Sequence, residues 1–104
     1  MRFLAVLAVL FLIRIGCAVA SECHNSSVTD AQLPPVAYRH EPSMPYFVMS
    51  AELMNTLRGR HKGQVVGYYF PHSGKIAICA GLTGKALRII RMHEEAHVAG
   101  WRHG

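Results

Sequence analysis

The chain has 104 residues, of which 51% are hydrophobic. Eleven Lys and Arg against six Asp and Glu give a formal net charge of +5, and two of the arginines lie within residues 1–20. The basic residues are scattered without interleaved aromatic side chains, so the composition argues against a nucleic-acid-binding protein.

The N-terminus has the layout of a secretory signal peptide over residues 1–20. An apolar run at residues 3–13 follows Met1-Arg2, and Ala18-Val19-Ala20 gives an A-x-A cleavage site. We therefore expect an exported protein, periplasmic or secreted. The apolar run is shorter than a transmembrane helix requires, and cleavage after Ala20 would remove it. We therefore expect no stable membrane span in the mature protein. Two alternatives stay open, a lipoprotein anchored through Cys17 and a retained N-terminal membrane anchor.

Residues 21–44 are predicted to form an extended arm that packs over the domain of residues 45–104. The segment contains three prolines, which remove backbone donors and restrict the residues before them. Cleavage would leave two cysteines, Cys23 and Cys79, and an even pair in an oxidising compartment favours a disulfide. That bond would tie the arm to the domain, with two free thiols as the open alternative.

The first part of the domain predicts a strand, a helix and a β-hairpin, in that order. Residues 46–49 are apolar and favour a short buried strand, and Ser50 is a good N-cap for a helix over residues 51–58. Residues 64–70 are rich in β-formers, and a turn signal separates them from the alternating residues 75–80. These two runs predict the hairpin.

The end of the chain predicts a second helix, with Thr83 as its N-cap and Gly100 as its stop. Apolar residues and histidines at i, i+3, i+4 and i+7 predict one helix face that packs against the sheet. This face consists of Ala86, Ile89, Ile90, His93, Ala96 and His97. The charged residues are predicted mainly on the other side, namely Lys85, Arg88, Arg91 and Glu95. Arg91 and Glu95 would form an i, i+4 pair there.

The same stretch contains the pattern His93-Glu94-x-x-His97-x-x-Gly100-x-x-His103. Residues four apart share one helix face, so His93 and His97 can direct their rings at one ion. Gly100 tolerates a positive φ and can turn the chain, which would bring His103 back as a third ligand. Three neutral imidazoles bind zinc and leave a fourth position for water. Glu94 would lie beside the metal, where it can accept a proton from that water.

This pattern resembles the zinc-binding helix of the zincin metallopeptidases, and its long form resembles that of the metzincins. The resemblance implies that His93, His97 and His103 ligate Zn²⁺ and that Glu94 is the general base. It also implies a substrate bound along an edge strand that lies above the helix. The strong match covers the motif itself, and the strand–helix–hairpin–helix order before it is similar to small zincin-like domains. Metzincins continue with a methionine-containing turn, whereas only one residue follows the motif in this sequence.

The sequence thus predicts an α+β protein, a minimal zincin-like domain with a strand, a helix, a β-hairpin and a C-terminal zinc-binding helix. The expected function is that of an exported zinc-dependent metallopeptidase acting on a peptide or protein substrate. A protein partner or a dimer could complete the cleft, because little chain surrounds the metal. The alternatives are a non-catalytic zinc-stabilised accessory module, a metal-sequestering protein, and a histidine-rich helix end that binds metal only adventitiously.

Overall fold

The computed structural model describes residues 21–103, so the predicted signal segment with Cys17 lies outside the described residues. The described chain is a small α+β domain with a three-stranded sheet, one short helix and one long helix. Its elements are β1 (Phe47–Met49), α1 (Ala51–Asn55), β2 (Gly67–Phe70), β3 (Lys75–Cys79) and α2 (Gly84–Val98). The predicted order of strand, helix, hairpin and helix is confirmed. Within residues 21–103, no helix combines the length and the apolar content needed to cross a membrane.

The sheet has the strand order β1-β3-β2, so β3 is central and β2 is an edge strand. β1 runs parallel to β3, and β2 runs antiparallel to it through the predicted hairpin. Because β3 is covered on both faces, its last four residues are buried and only Lys75 is exposed. Helix α2 packs across β2 and β3, which places the C-terminal helix beside the free edge of the hairpin.

The first strand and helix differ from their predictions. β1 was expected to be buried, but Phe47 and Val48 are 42% and 60% exposed, because β1 is an edge strand with little chain packed over it. Helix α1 ends at Asn55, three residues earlier than predicted. The Thr56 hydroxyl donates to the Leu53 carbonyl, and such a side-chain bond competes with continuation of the helix.

Glu95 lies on the side of α2 away from the sheet, as predicted, but it is only 2% exposed because the arm covers that side. Its partner in the predicted i, i+4 pair is engaged elsewhere. Arg91 donates to the Met44 carbonyl and places its guanidinium 4.9 Å from the centre of the Tyr46 ring. Both side chains contact residues near the end of the N-terminal arm, which covers this side of the helix.

The arm contains three single-turn 3-10 helices and is not extended throughout. They are Asn25–Ser27, Asp30–Gln32 and Val36–Tyr38. The second helix begins in a capping box, in which the Thr29 hydroxyl and the Gln32 side chain satisfy each other's backbone N–H groups. A disulfide between Cys23 and Cys79 fastens the start of the arm to the central strand.

Candidate metal centre

Three imidazoles converge at the C-terminal end of α2. Two of them lie one helical turn apart, and the Nε2 atoms of His93 and His97 are 3.2 Å from each other. Gly100 has a φ of 112°, a value that favours glycine, and it turns the chain after the helix. His103 returns over the site, so that one nitrogen from each of the three rings lies within 4.8 Å of the others. The predicted ligand residues are therefore brought together.

Backbone carbonyl groups fix the tautomers of two of these rings. The Nδ1 atom of His93 lies 2.6 Å from the Gln32 carbonyl oxygen, and that of His97 lies 2.8 Å from the Trp101 carbonyl oxygen. A carbonyl oxygen only accepts, so each Nδ1 carries the proton and donates it. Each neutral ring therefore presents a lone pair at Nε2, and the two Nε2 atoms face each other. A cation satisfies such a pair, and these outer hydrogen bonds are typical of metal-ligating histidines.

The donor set fits a zinc ion. Nitrogen ligands at about 2.0–2.1 Å in a tetrahedral arrangement lie about 3.3 Å from one another, close to the observed separation of 3.2 Å. His103 is exposed and its nitrogen needs to approach by about 1–2 Å to complete the same geometry. Burial lowers the pKa of His93 and of His97, partly offset in each ring by its carbonyl partner. Both rings are consequently in the neutral form that binds metal.

Glu94 is buried beside the imidazoles and is 6% exposed. Burial raises the pKa of its carboxyl group to about 8 in the metal-free protein. A cation held by the neighbouring imidazoles would oppose this effect, because a nearby positive charge favours the carboxylate. The group is thus placed to hold a proton reversibly near neutral pH, which is the property required of a general acid–base residue.

The histidines and Glu94 open into one cleft with a volume of about 820 Å³. Its walls come from the arm, the edge strand β2 and the turn after α2. Side chains from these three elements include Gln32, Leu33, Tyr68, Tyr69, Trp101 and Arg102. The free edge of β2 therefore lies along the same cleft as the candidate ligands.

Glycine at position 67 allows α2 to approach the edge strand closely. A Cβ atom placed there would lie 2.6 Å from Cγ2 of Ile90 and 2.9 Å from Oε2 of Glu94. Sequence analysis did not single out Gly67, although a glycine inside a run of β-formers is a known signal of close backbone approach. The absence of a side chain at this position leaves room for the Glu94 carboxyl group.

We expect Gly67→Ala to destabilise the protein by about 1–3 kcal/mol, as overpacking does, and to displace the Glu94 carboxyl group. Zinc stoichiometry should stay at the wild-type value, because the three atoms nearest the added methyl group belong to Ile90 and Glu94 and not to any of the three candidate ligand rings. Gly74→Ala in the β2–β3 turn is the control, because a Cβ atom added there meets nothing within 4 Å. Its φ of +71° means that this substitution strains the backbone without overpacking the core. Thermal unfolding and zinc analysis are measured on both variants. Wild-type stability of Gly67→Ala would contradict the close packing at this position.

The stability of the metal-free protein should depend on pH through Glu94. Its folded-state pKa of about 8 lies above its ordinary value of 4.5, so the folded state binds the proton more tightly than the unfolded state. The contribution of this group to the free energy of unfolding therefore falls as the pH rises between these values. We expect Glu94→Gln to become progressively more stable than the wild type over this range, by a few kcal/mol, since one pKa unit is about 1.4 kcal/mol.

Denaturant unfolding at several pH values with a chelator present measures this difference. Titration of His93 and His97 is common to both proteins and cancels in the comparison. A difference in the free energy of unfolding that stays constant from pH 5 to pH 8 would show that Glu94 is not buried as a neutral acid.

Two residues of the site, Trp101 and Gln32, were not identified by the sequence analysis. The ring of Trp101 stacks on His97 at 4.7 Å with an interplanar angle of 6°. Its carbonyl also orients that histidine. Gln32, whose carbonyl orients His93, lies 61 residues away in the arm, and no local pattern pointed to it.

Comparison of the chain with protein-family models, with curated proteins and with solved structures finds no match. The interpretation of the site consequently depends on its own geometry. That geometry consists of the converging imidazoles, the carbonyl groups behind two of them and a buried carboxyl group in the same cleft.

Proposed function

We propose that this protein is an exported zinc-dependent metallopeptidase with a minimal zincin-like fold. The observation that carries the proposal is the pair of Nε2 atoms of His93 and His97, which face each other at 3.2 Å with both Nδ1 protons committed to carbonyl groups. Glu94 in the same cleft supplies a proton acceptor, which a purely structural metal site does not need.

In this proposal His93, His97 and His103 hold Zn²⁺. When bound, the metal supplies Lewis-acid activation of water and of a peptide carbonyl group. The Nδ1–H bonds to the carbonyls of Gln32 and Trp101 keep two of the rings aimed at the site. Glu94 accepts the proton of the attacking water at its carboxylate and then delivers it to the leaving amine nitrogen.

The substrate is proposed to be a peptide or protein segment that lies along β2. This strand pairs with β3 on one side only, and its residues line the cleft that contains Glu94. An extended peptide can add to such an edge through main-chain hydrogen bonds. The zincin resemblance implies the same placement of the substrate.

Export is proposed from the signal-like segment of residues 1–20. The disulfide between Cys23 and Cys79 supports it, because such bonds persist in oxidising compartments and are rare in the cytosol.

A non-catalytic zinc-stabilised module is the second candidate. It is favoured by the hydrogen bond between His93 and Gln32, since a metal that orders His93 would also stabilise the contact between the arm and α2. Domains of this size commonly depend on a disulfide or a metal for stability. The two candidates differ in whether Glu94 is needed for anything beyond the fold.

Zinc analysis and peptide cleavage test the proposal together. The protein is purified, its zinc content is measured by elemental analysis, and a mixture of peptides is incubated with it and examined by mass spectrometry. We expect one zinc per chain and cleavage that stops on addition of a chelator. Absence of zinc after refolding with the metal would contradict both candidates, whereas bound zinc without cleavage of any peptide would favour the structural module.

A further inference from the structure

The arm of residues 21–44 is fastened to the domain at both ends, and the contact with His93 lies between the two anchors. The disulfide holds Cys23 at the start of the arm. Near its end, the backbone N–H groups of Ser43 and Met44 donate to the carboxylate of Glu95 on α2. The Gln32 carbonyl that accepts from His93 is thus part of a strap with two fixed ends.

Glu95 has no role in the cleft. Its side chain is 1% exposed, it does not line the cleft, and it follows Glu94 by one position on the helix, so it points about 100° away. Its oxygens accept from Ser43 at 3.1 and 3.2 Å and from Met44 at 3.2 Å, and Nε2 of His40 lies 3.3 Å away. A buried carboxylate is costly unless it is well satisfied, and within residues 21–103 the groups that satisfy this one, from His40, Ser43 and Met44, belong to the arm.

A second contact between the arm and α2 is different in kind. Arg88 and Glu41 form an ion pair, but both side chains are largely exposed, at 49% and 77%. Exposed pairs of this type contribute little to stability. The buried carboxylate of Glu95 therefore holds the end of the arm on the helix together with the hydrogen bond from Arg91 to the Met44 carbonyl, and the exposed pair offers a matched comparison.

We propose that Glu95 is a positioning residue of the metal centre. Glu95 fastens the end of the arm to α2 and thereby keeps the Gln32 carbonyl in contact with Nδ1 of His93. This contact sets the tautomer and the orientation of the His93 ring. The effect on metal affinity depends on the function proposed above, whereas the effect on the ring is a property of the metal-free chain. An experiment can therefore contradict the proposed function without contradicting the positioning role of Glu95, and the reverse.

The test compares Glu95→Ala and Glu95→Gln with Glu41→Gln in the full chain. Alanine removes the acceptors for the arm, and glutamine keeps one of them. Zinc affinity is measured by competition with a chromogenic chelator, and the ring nitrogens of His93 are observed by ¹⁵N NMR without metal. We expect zinc to bind about tenfold more weakly to Glu95→Ala, within the range for loss of an outer-shell partner, with a smaller loss for Glu95→Gln and none for Glu41→Gln.

The NMR signal separates positioning from a purely structural role. In the wild type and in Glu41→Gln, His93 should show a protonated Nδ1 in a hydrogen bond, and in Glu95→Ala this signature should be lost while the other resonances of α2 remain. Lower thermal stability of Glu95→Ala with an unchanged His93 signature would overturn the proposal. If the wild type binds no zinc but the His93 signature still depends on Glu95, the proposed function fails and the positioning role stands.

Discussion

Replacing Glu94 with glutamine should lower kcat for peptide cleavage by about 10²–10⁴-fold, the usual contribution of a general acid–base residue. Glutamine has nearly the shape of glutamate but cannot accept the proton of the attacking water. The side chain lies in the cleft and is not one of the three candidate ligands, so zinc content should equal that of the wild type. Cleavage rates and zinc stoichiometry are measured on the same preparation.

Glu52→Gln is the matched control for this variant. Glu52 lies exposed in the first turn of α1, where the same chemical change leaves the cleft untouched. We expect wild-type cleavage from it. Full activity in Glu94→Gln would overturn the peptidase proposal, and loss of zinc together with activity would show that Glu94 supports the metal site and not the proton transfer.

Replacing His97 or His103 with alanine should weaken zinc binding by more than about a hundredfold, beyond the loss that follows removal of an outer-shell partner. Each change removes one of the three proposed ligands found within residues 21–103, and the two that remain would hold the ion far less tightly. His103 is exposed, so its loss should not disturb the fold. His97 also stacks on Trp101, so a small loss of stability is expected in that variant alone.

His72→Ala provides the comparison, because His72 is an exposed residue of the β2–β3 turn and lies outside the converging group. Its zinc content should equal that of the wild type by elemental analysis. Retention of one zinc per chain in both His97→Ala and His103→Ala would show that the ion is bound elsewhere. Loss in only one of them would reduce the site to two histidines and another ligand.

Adjacent glutamates on α2 illustrate what local spacing can and cannot reveal. Both residues lie on the same helix. The helix period alone predicts that Glu94 lies beside His93 and that Glu95 points away from it. The spacing predicted that Glu95 faces away from the sheet, but it did not predict that the arm covers that side and that backbone N–H groups of the arm bind the carboxylate. Burial of a helix face depends on what packs over it, which the period does not encode.

The local sequence determined the elements and the candidate ligands. Periodicity predicted α2, the run of β-formers and the turn predicted the hairpin, and the cysteine count pointed to the disulfide that the structure contains. The spacing of His93, His97 and His103 predicted their convergence, because a helix turn and a glycine with positive φ are properties of neighbouring residues.

Only the tertiary structure decided how that helix is surrounded. The carbonyl of Gln32 meets His93 across 61 residues, and the N–H groups of Ser43 and Met44 meet Glu95 across 52 and 51 residues. Gly67 reaches Glu94 only because β2 packs against α2. All of these contacts depend on how separate elements pack together. The local sequence signals a close approach at Gly67 but not what approaches it, and the backbone groups of Gln32, Ser43 and Met44 carry no residue-specific signal at all.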